Sequence, residues 1–193
     1  MNFGKTVRGV FVLCVLVLAA GPGENAVTPA QEVPALAPSQ VVKTHAYVSL
    51  DPVPRGKAFQ VAVVVDINEA YHMNSHTPSD AYLIPTTLTP QLPAGITLVD
   101  TVYPPGHDKK FSFSDKPLNV YAGSVTLRLK LAASASASLG DATLPLTLRY
   151  QACNNSACLP PVKVPVSAQF KIAPAGTAAH AVHPEVFAAT SSK

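Results

Sequence analysis

The chain has 193 residues, a formal charge of +3 from 14 basic and 11 acidic residues, and 48% hydrophobic residues. That length supports one domain with a sizeable core. The basic residues are scattered singly or in pairs, which excludes a nucleic-acid footprint or a polybasic membrane patch.

The chain opens "MNFGKTVRGVFVLCVLVLAAGPGENA". Lys5 and Arg8 give a basic start, Gly9 to Ala20 an apolar run, and Ala19, Ala20, Gly21 and Gly23 a small-residue exit. This three-part layout predicts a secretory signal over residues 1–26. The run falls short of the about 20 residues that a comfortable membrane span needs, and nothing later in the chain could cross a bilayer. Cys14 follows Leu13 rather than a small residue, so lipid modification is a poor reading. Export predicts a periplasmic or otherwise oxidising compartment. Residues 27–40, "VTPAQEVPALAPSQ", are rich in Pro and Ala without periodicity and read as a linker.

Order is expected over residues 41–173. "AFQVAVVVDI" sets Phe59, Val61, Val63, Val65 and Ile67 against Gln60, Ala62, Val64 and Asp66. "SVTLRLKL", "TLPLTLRY" and "VKVPVSAQF" repeat the two-residue period, with Leu127, Leu129, Leu144, Leu148, Val164 and Phe170 on their inner faces. Shorter candidate strands lie at 42–50, 86–88 and 96–103. Turn formers separate them in "DPVPRG", "TPQLPAG", "PPGHDKK" and "SLGD". Strands without βαβ alternation predict an all-β, immunoglobulin-like antiparallel β-sandwich. Pro145 and Pro165 on outward faces predict edge positions or bulges. Residues 174–193 are small and polar. A short helix could start at Pro184, but the expectation is a flexible tail.

"YQACNNSACLPP", Tyr150 to Pro161, carries the two cysteines outside the signal, Cys153 and Cys158. Tyr150 ends one inward-facing row and Val162 begins the next, so the pair falls at the mouth of a hairpin at one end of the sandwich. Three readings compete. As a staple, so short a loop contributes only about 2 kcal/mol, against about 4.7 for a loop of 100 residues. As a metal clip, the pair lacks a second cysteine pair, with His72, His76 and His107 the available histidines. "HMNSH", with His72, Met73 and His76, adds a weaker copper reading. As a reversible dithiol it would exchange with an attacking partner, since no helix terminus or cluster of cations lowers a thiol pKa nearby. No cofactor is expected.

"YQACNNSACLPP" resembles the redox hairpin of the N-terminal periplasmic domain of the DsbD thiol:disulfide interchange family: Tyr-Gln-x-Cys, a short spacer, Cys-x-Pro-Pro. "EAYHMNSHTPSDAYLIPTTL" and "YPPGHDKKFSFSDKPLNVYAGSVTL" are similar to that family too, so the resemblance covers about residues 41–171. It implies an immunoglobulin-like fold and a Cys153/Cys158 pair cycling between dithiol and disulfide. It also implies a donor that is a thioredoxin-like protein or membrane electron transporter, and acceptors that are periplasmic disulfide proteins. These would serve cytochrome c biogenesis or disulfide repair. By resemblance "KKFSFSD" is a cap loop with Phe111 or Phe113 as the cap, the alternative being that both face the core. Tyr71 and Tyr150 would line the site. Cys158 would attack and Cys153 resolve.

Two departures stand out. The spacer "NNSA" is one residue shorter than in the best-known members. The family's transporter and thioredoxin-like domain do not follow, so the donor is expected to be a separate protein. The rival class is a non-catalytic immunoglobulin-like binding module whose hairpin disulfide is structural.

Overall fold

The computed structural model describes residues 36–188. The expected signal and most of the expected linker lie outside them. In chain order the strands are β1 (Val42–Val48), β2 (Leu50–Asp51), β3 (Val53–Pro54), β4 (Ala58–Ile67), β5 (His72–Asn74), β6 (Thr87–Pro90) and β7 (Ile96–Val102). They continue with β8 (His107–Lys109), β9 (Leu118–Tyr121), β10 (Ser124–Ala133), β11 (Gly140–Tyr150), β12 (Ala152–Cys153), β13 (Val162–Ala173) and β14 (His180–Ala181). A 3-10 turn at Pro38–Gln40 precedes them, and a one-turn helix, α1 (Pro184–Phe187), follows.

The four cleanest alternating runs become the four long strands, β4, β10, β11 and β13. One sheet runs β1-β4-β10-β7 and is antiparallel throughout. The other runs β3-β13-β11-β6, with β3 the single parallel partner. The first strand thus splits between sheets, β1 in one and β3 in the other. With this order the molecule is an immunoglobulin-like β-sandwich.

Its core is what a period of two dictates. Val61, Val63 and Val65 of β4, Leu127, Leu129 and Leu131 of β10, and Leu144, Leu146 and Leu148 of β11 share one buried cluster. Phe59 and Phe170 meet across the sheets with ring centroids 5.2 Å apart. Each such side chain contributes about 1.5–3 kcal/mol on burial. This interior gives the site a rigid base.

The two strand prolines have register partners in the β11–β13 ladder, Ser167 for Pro145 and Thr147 for Pro165, and lie outside the strand pairing on the other side. β3 pairs with β13 only at Ile172 and Ala173, which leaves Pro165 without a neighbour on that side. Pro145 lies just before Leu146, where the pairing of β6 with β11 begins.

Both ends of the domain extend further than expected. Leu36 packs on the core, and the 3-10 turn Pro38–Gln40 follows it. The tail is not left flexible up to Ala188: β14 pairs with β2, and α1 forms behind it. Arg128 Nη2 donates to the carbonyls of Val186 (2.9 Å) and Ala188 (3.1 Å). Pro184 supplies a pre-set φ at the first helical position.

A third sheet, β12-β5-β9-β8, grows from one end of the sandwich. There β4 runs out towards β5, β9 leads into β10, and β11 hands over to β12. The cysteines sit on this small sheet.

Candidate functional site

The ladder between β11 and β13 closes at Tyr150 opposite Val162, and the chain between them forms the cysteine hairpin. Asn154 organises its turn. Its Oδ1 accepts from the amides of Ser156 (2.8 Å) and Ala157 (2.9 Å), and its own amide donates to the Ala157 carbonyl (3.0 Å). This is the side-chain mimicry of a turn for which Asn is favoured. The Leu159 amide donates to the Ala152 carbonyl at 2.8 Å, and Cys153 faces Cys158 across the narrow ladder. The two are joined in a disulfide with Cα atoms 3.8 Å apart. The two cysteines differ in exposure: Cys153 is 1% exposed, whereas Cys158 is half-buried.

A polar knot fixes the hairpin to its neighbours. Gln151 Oε1 accepts from Asn74 Nδ2 (3.1 Å) and from the Ile84 amide (3.2 Å), while Gln151 Nε2 donates to the Leu159 carbonyl (3.2 Å). Asn74 is fully buried, its amide donates to the Gln151 carbonyl, and its carbonyl accepts from Thr86 Oγ1 at 2.6 Å. Buried amides demand such partners. Nearby, a Cβ on Gly106 would come within 2.2 Å of Asn119 Oδ1 and 2.7 Å of Ser75 Cβ, so only glycine fits.

The loop 110–116 leaves β8 and crosses to this hairpin. Ser112 Oγ donates to the Asn155 carbonyl at 2.7 Å, a direct tie between the two. Phe111 is 3% exposed in a satellite cluster with Leu83, Leu118 and Val120. Its ring stands edge-on to His72 with centroids 5.5 Å apart, and Phe113 lies 5.2 Å away. Phe113 is 40% exposed. The two phenylalanines therefore part company: one is anchored outside the main core and the other faces solvent.

His72 is the register partner of Cys153. Its Nε2 receives Lys109 Nζ at 2.8 Å. Burial first, then the charges of Lys109 and His107, hold its pKa below the ordinary histidine value.

Tyr71 and Tyr150 belong to the main core. The Tyr71 hydroxyl accepts from the Leu36 amide (3.1 Å), and Tyr150 donates to the Pro38 carbonyl (2.5 Å). Burial pushes the Tyr150 pKa up to about 12. The contacts of both hydroxyls are with the 36–38 segment rather than with the cysteine hairpin. The inward period of β11 takes the Tyr150 ring into the sandwich.

The copper reading finds no converging ligands. Met73 is buried in the main core, while His76 donates from Nδ1 to the Thr86 carbonyl (2.9 Å) and stacks on Tyr103 at 3.6 Å. Among the described residues, no three His, Cys, Asp or Glu groups come together. Lys109, Asn74, Ser112 and Gly106 were not singled out from the sequence. Asn74 stood within "HMNSH", where the histidines and methionine drew the reading.

Residues 37–169 match the model of the family described as thiol:disulfide interchange protein DsbD, N-terminal. The chain belongs to this family. It carries a DsbD-type thiol:disulfide interchange domain, with the expected hairpin closed by a disulfide. No curated protein matches the chain. Among solved structures, the N-terminal periplasmic domain of ScsB from Proteus mirabilis is similar at 11% identity with a TM-score of 0.47. The match covers 68% of this chain and 47% of that one, so the chain spans less than half of the solved relative. Among the described residues, no helix is long and apolar enough to cross a membrane.

Proposed function

We propose that this DsbD-type domain is an exported carrier of reducing equivalents, with Cys153 and Cys158 as its working dithiol. The unequal exposure of the two cysteine residues is the observation that carries this reading. A donor thiolate attacks the accessible Cys158 sulfur, the disulfide breaks, and its electron pair leaves on Cys153. A second donor thiol then releases the carrier as a dithiol. In the forward direction the Cys158 thiolate attacks an acceptor disulfide, and Cys153 resolves the mixed disulfide. The donor is a thioredoxin-like protein or membrane electron transporter, and the acceptors are disulfide proteins of the same exported compartment. The chemistry needs only the two sulfurs.

Three further features support the reading. The staple is short, worth about 2 kcal/mol. The 110–116 loop bonds the hairpin turn through Ser112, and Phe113 stands exposed on it, so the loop can act as a cap that lifts for a partner. The basic, apolar and small-residue order of residues 1–26 supports export and removal of that segment.

Trapping tests the assignment. Cys153→Ser leaves the attacking sulfur without a resolver and should accumulate mixed disulfides with exported partners on non-reducing gels. Cys158→Ser should accumulate none. The opposite pattern would reverse the roles, and silence from both variants would leave the binding-module reading.

A further inference from the structure

The proposed cycle leaves the imidazole beside Cys153 unused. Directly opposed residues of an antiparallel pair share a face, with Cβ atoms about 4.5–5.5 Å apart. His72 and Cys153 are opposed in this way, and both are buried, at 7% and 1% exposure. On the far side of the ring, Lys109 Nζ lies 2.8 Å from Nε2. An ammonium has donors only, so Nε2 accepts and the ring proton resides on Nδ1. That Nδ1–H is buried and has no hydrogen-bond partner. A buried donor without an acceptor is rare in folded proteins and calls for an explanation.

We propose that His72, backed by Lys109, stabilises the thiolate that forms on Cys153 when the disulfide opens. This deepens the carrier reading and rests on it for its biological role. In the step concerned, the incoming thiolate bonds to Cys158 Sγ and the bond to Cys153 Sγ breaks. The electron pair and negative charge pass to Cys153 Sγ. Nδ1–H then has its acceptor, and the Lys109 charge lies behind the ring. No electron or atom beyond those of the attacking dithiol is required.

The surroundings fit this polarity. Among the described residues, the charged groups acting on the imidazole are Lys109 and His107 of β8. The facing residues of β9, Leu118 to Tyr121, bear no carboxylate, and Phe111 covers the ring edge-on. Burial first, then the coulombic effects of Lys109 and His107, disfavours a charge on the imidazole, and the ring can donate through Nδ1 without one.

The test is a thiol titration of the reduced full-length chain. Thiolate absorbance near the far ultraviolet is followed against pH in Cys158→Ser. The double variant Cys153→Ser/Cys158→Ser serves as the blank, which also subtracts Cys14. Replacing Lys109 with Met, or His72 with Phe, should cut the thiolate fraction of Cys153 at neutral pH about tenfold, one unit of pKa. Lys109→Arg should restore it, and combining Lys109→Met with His72→Phe should add little, as expected of groups acting as a unit. An unchanged titration in Lys109→Met, at a partly exposed position and with unaltered melting, would overturn the assignment even if His72→Phe failed to fold. The titration does not require the disulfide to be reducible by a partner. A wild-type disulfide that resists exchange, together with the tenfold effect, would therefore sink the carrier reading and leave the His72–Lys109 assignment standing.

Discussion

The sandwich body and the small sheet at its end are built on different principles. The body is held by long alternating strands and a continuous apolar interior, in which Leu127, Leu129, Leu144 and Leu148 are wholly buried. The small sheet has strands of two to four residues and a satellite apolar cluster of only four residues, to which it adds point contacts: Gln151 to Asn74, Ser112 to Asn155, Lys109 to His72. Apolar burial is non-directional and cooperative, whereas each polar contact is local and separately breakable. The arrangement puts the disulfide in the region whose contacts break one by one.

Leu129→Ala should break the body and have the largest effect. A cavity at that wholly buried position should cost about 2–5 kcal/mol, read as a lower midpoint in chemical denaturation, with the small sheet lost at the same time. Asn74→Ala should strike the end alone. Stranding the Ile84 carbonyl and removing one of the two donors to Gln151 Oε1 costs about 1–3 kcal/mol, and hydrogen exchange should quicken over residues 72–74 and 151–159 while β10 and β11 stay protected. Exchange spreading through β11 would mean that the two regions are one cooperative unit. Reduction of the disulfide should cost about 2 kcal/mol, with the near-native circular dichroism of the body retained.

The smallest effect concerns pH. The folded chain holds the His72 proton less readily than the unfolded chain, whose histidine takes its ordinary value of about 6.5. The His72 contribution is therefore intact above that pH and is lost as pH falls through it towards the depressed folded value. Denaturation midpoints should decline with acid over this range, and His72→Phe should flatten that part of the profile.

The same contrast explains what could be read from the sequence. A period of two over ten or more residues fixes strand, face and register together, so β4, β10, β11 and β13 were legible, and with them the sandwich. The hairpin was legible through its cysteines, its Asn-Ser turn and the alternation on either side. β5, β8, β9 and β12 are too short to show a period, and their residues acquire meaning only from partners brought in by topology. Lys109 is unremarkable until β8 and β9 bring it to His72. The tail misled for a related reason: its small residues are ordered by two carbonyl bonds from Arg128, some sixty residues earlier. Tyr71 and Tyr150 stand beside the site in sequence, but both are buried in the main core.

The central claim is that the Cys153–Cys158 bond is made and broken in use, and its reduction potential tests this most directly. Equilibration of the folded protein with thioredoxin-type and glutathione redox buffers should give a value within about −180 to −270 mV, where exchange with dithiol partners is reversible. A potential below about −300 mV, with the bond untouched by thioredoxin, would contradict the account and mark the hairpin as a structural clasp.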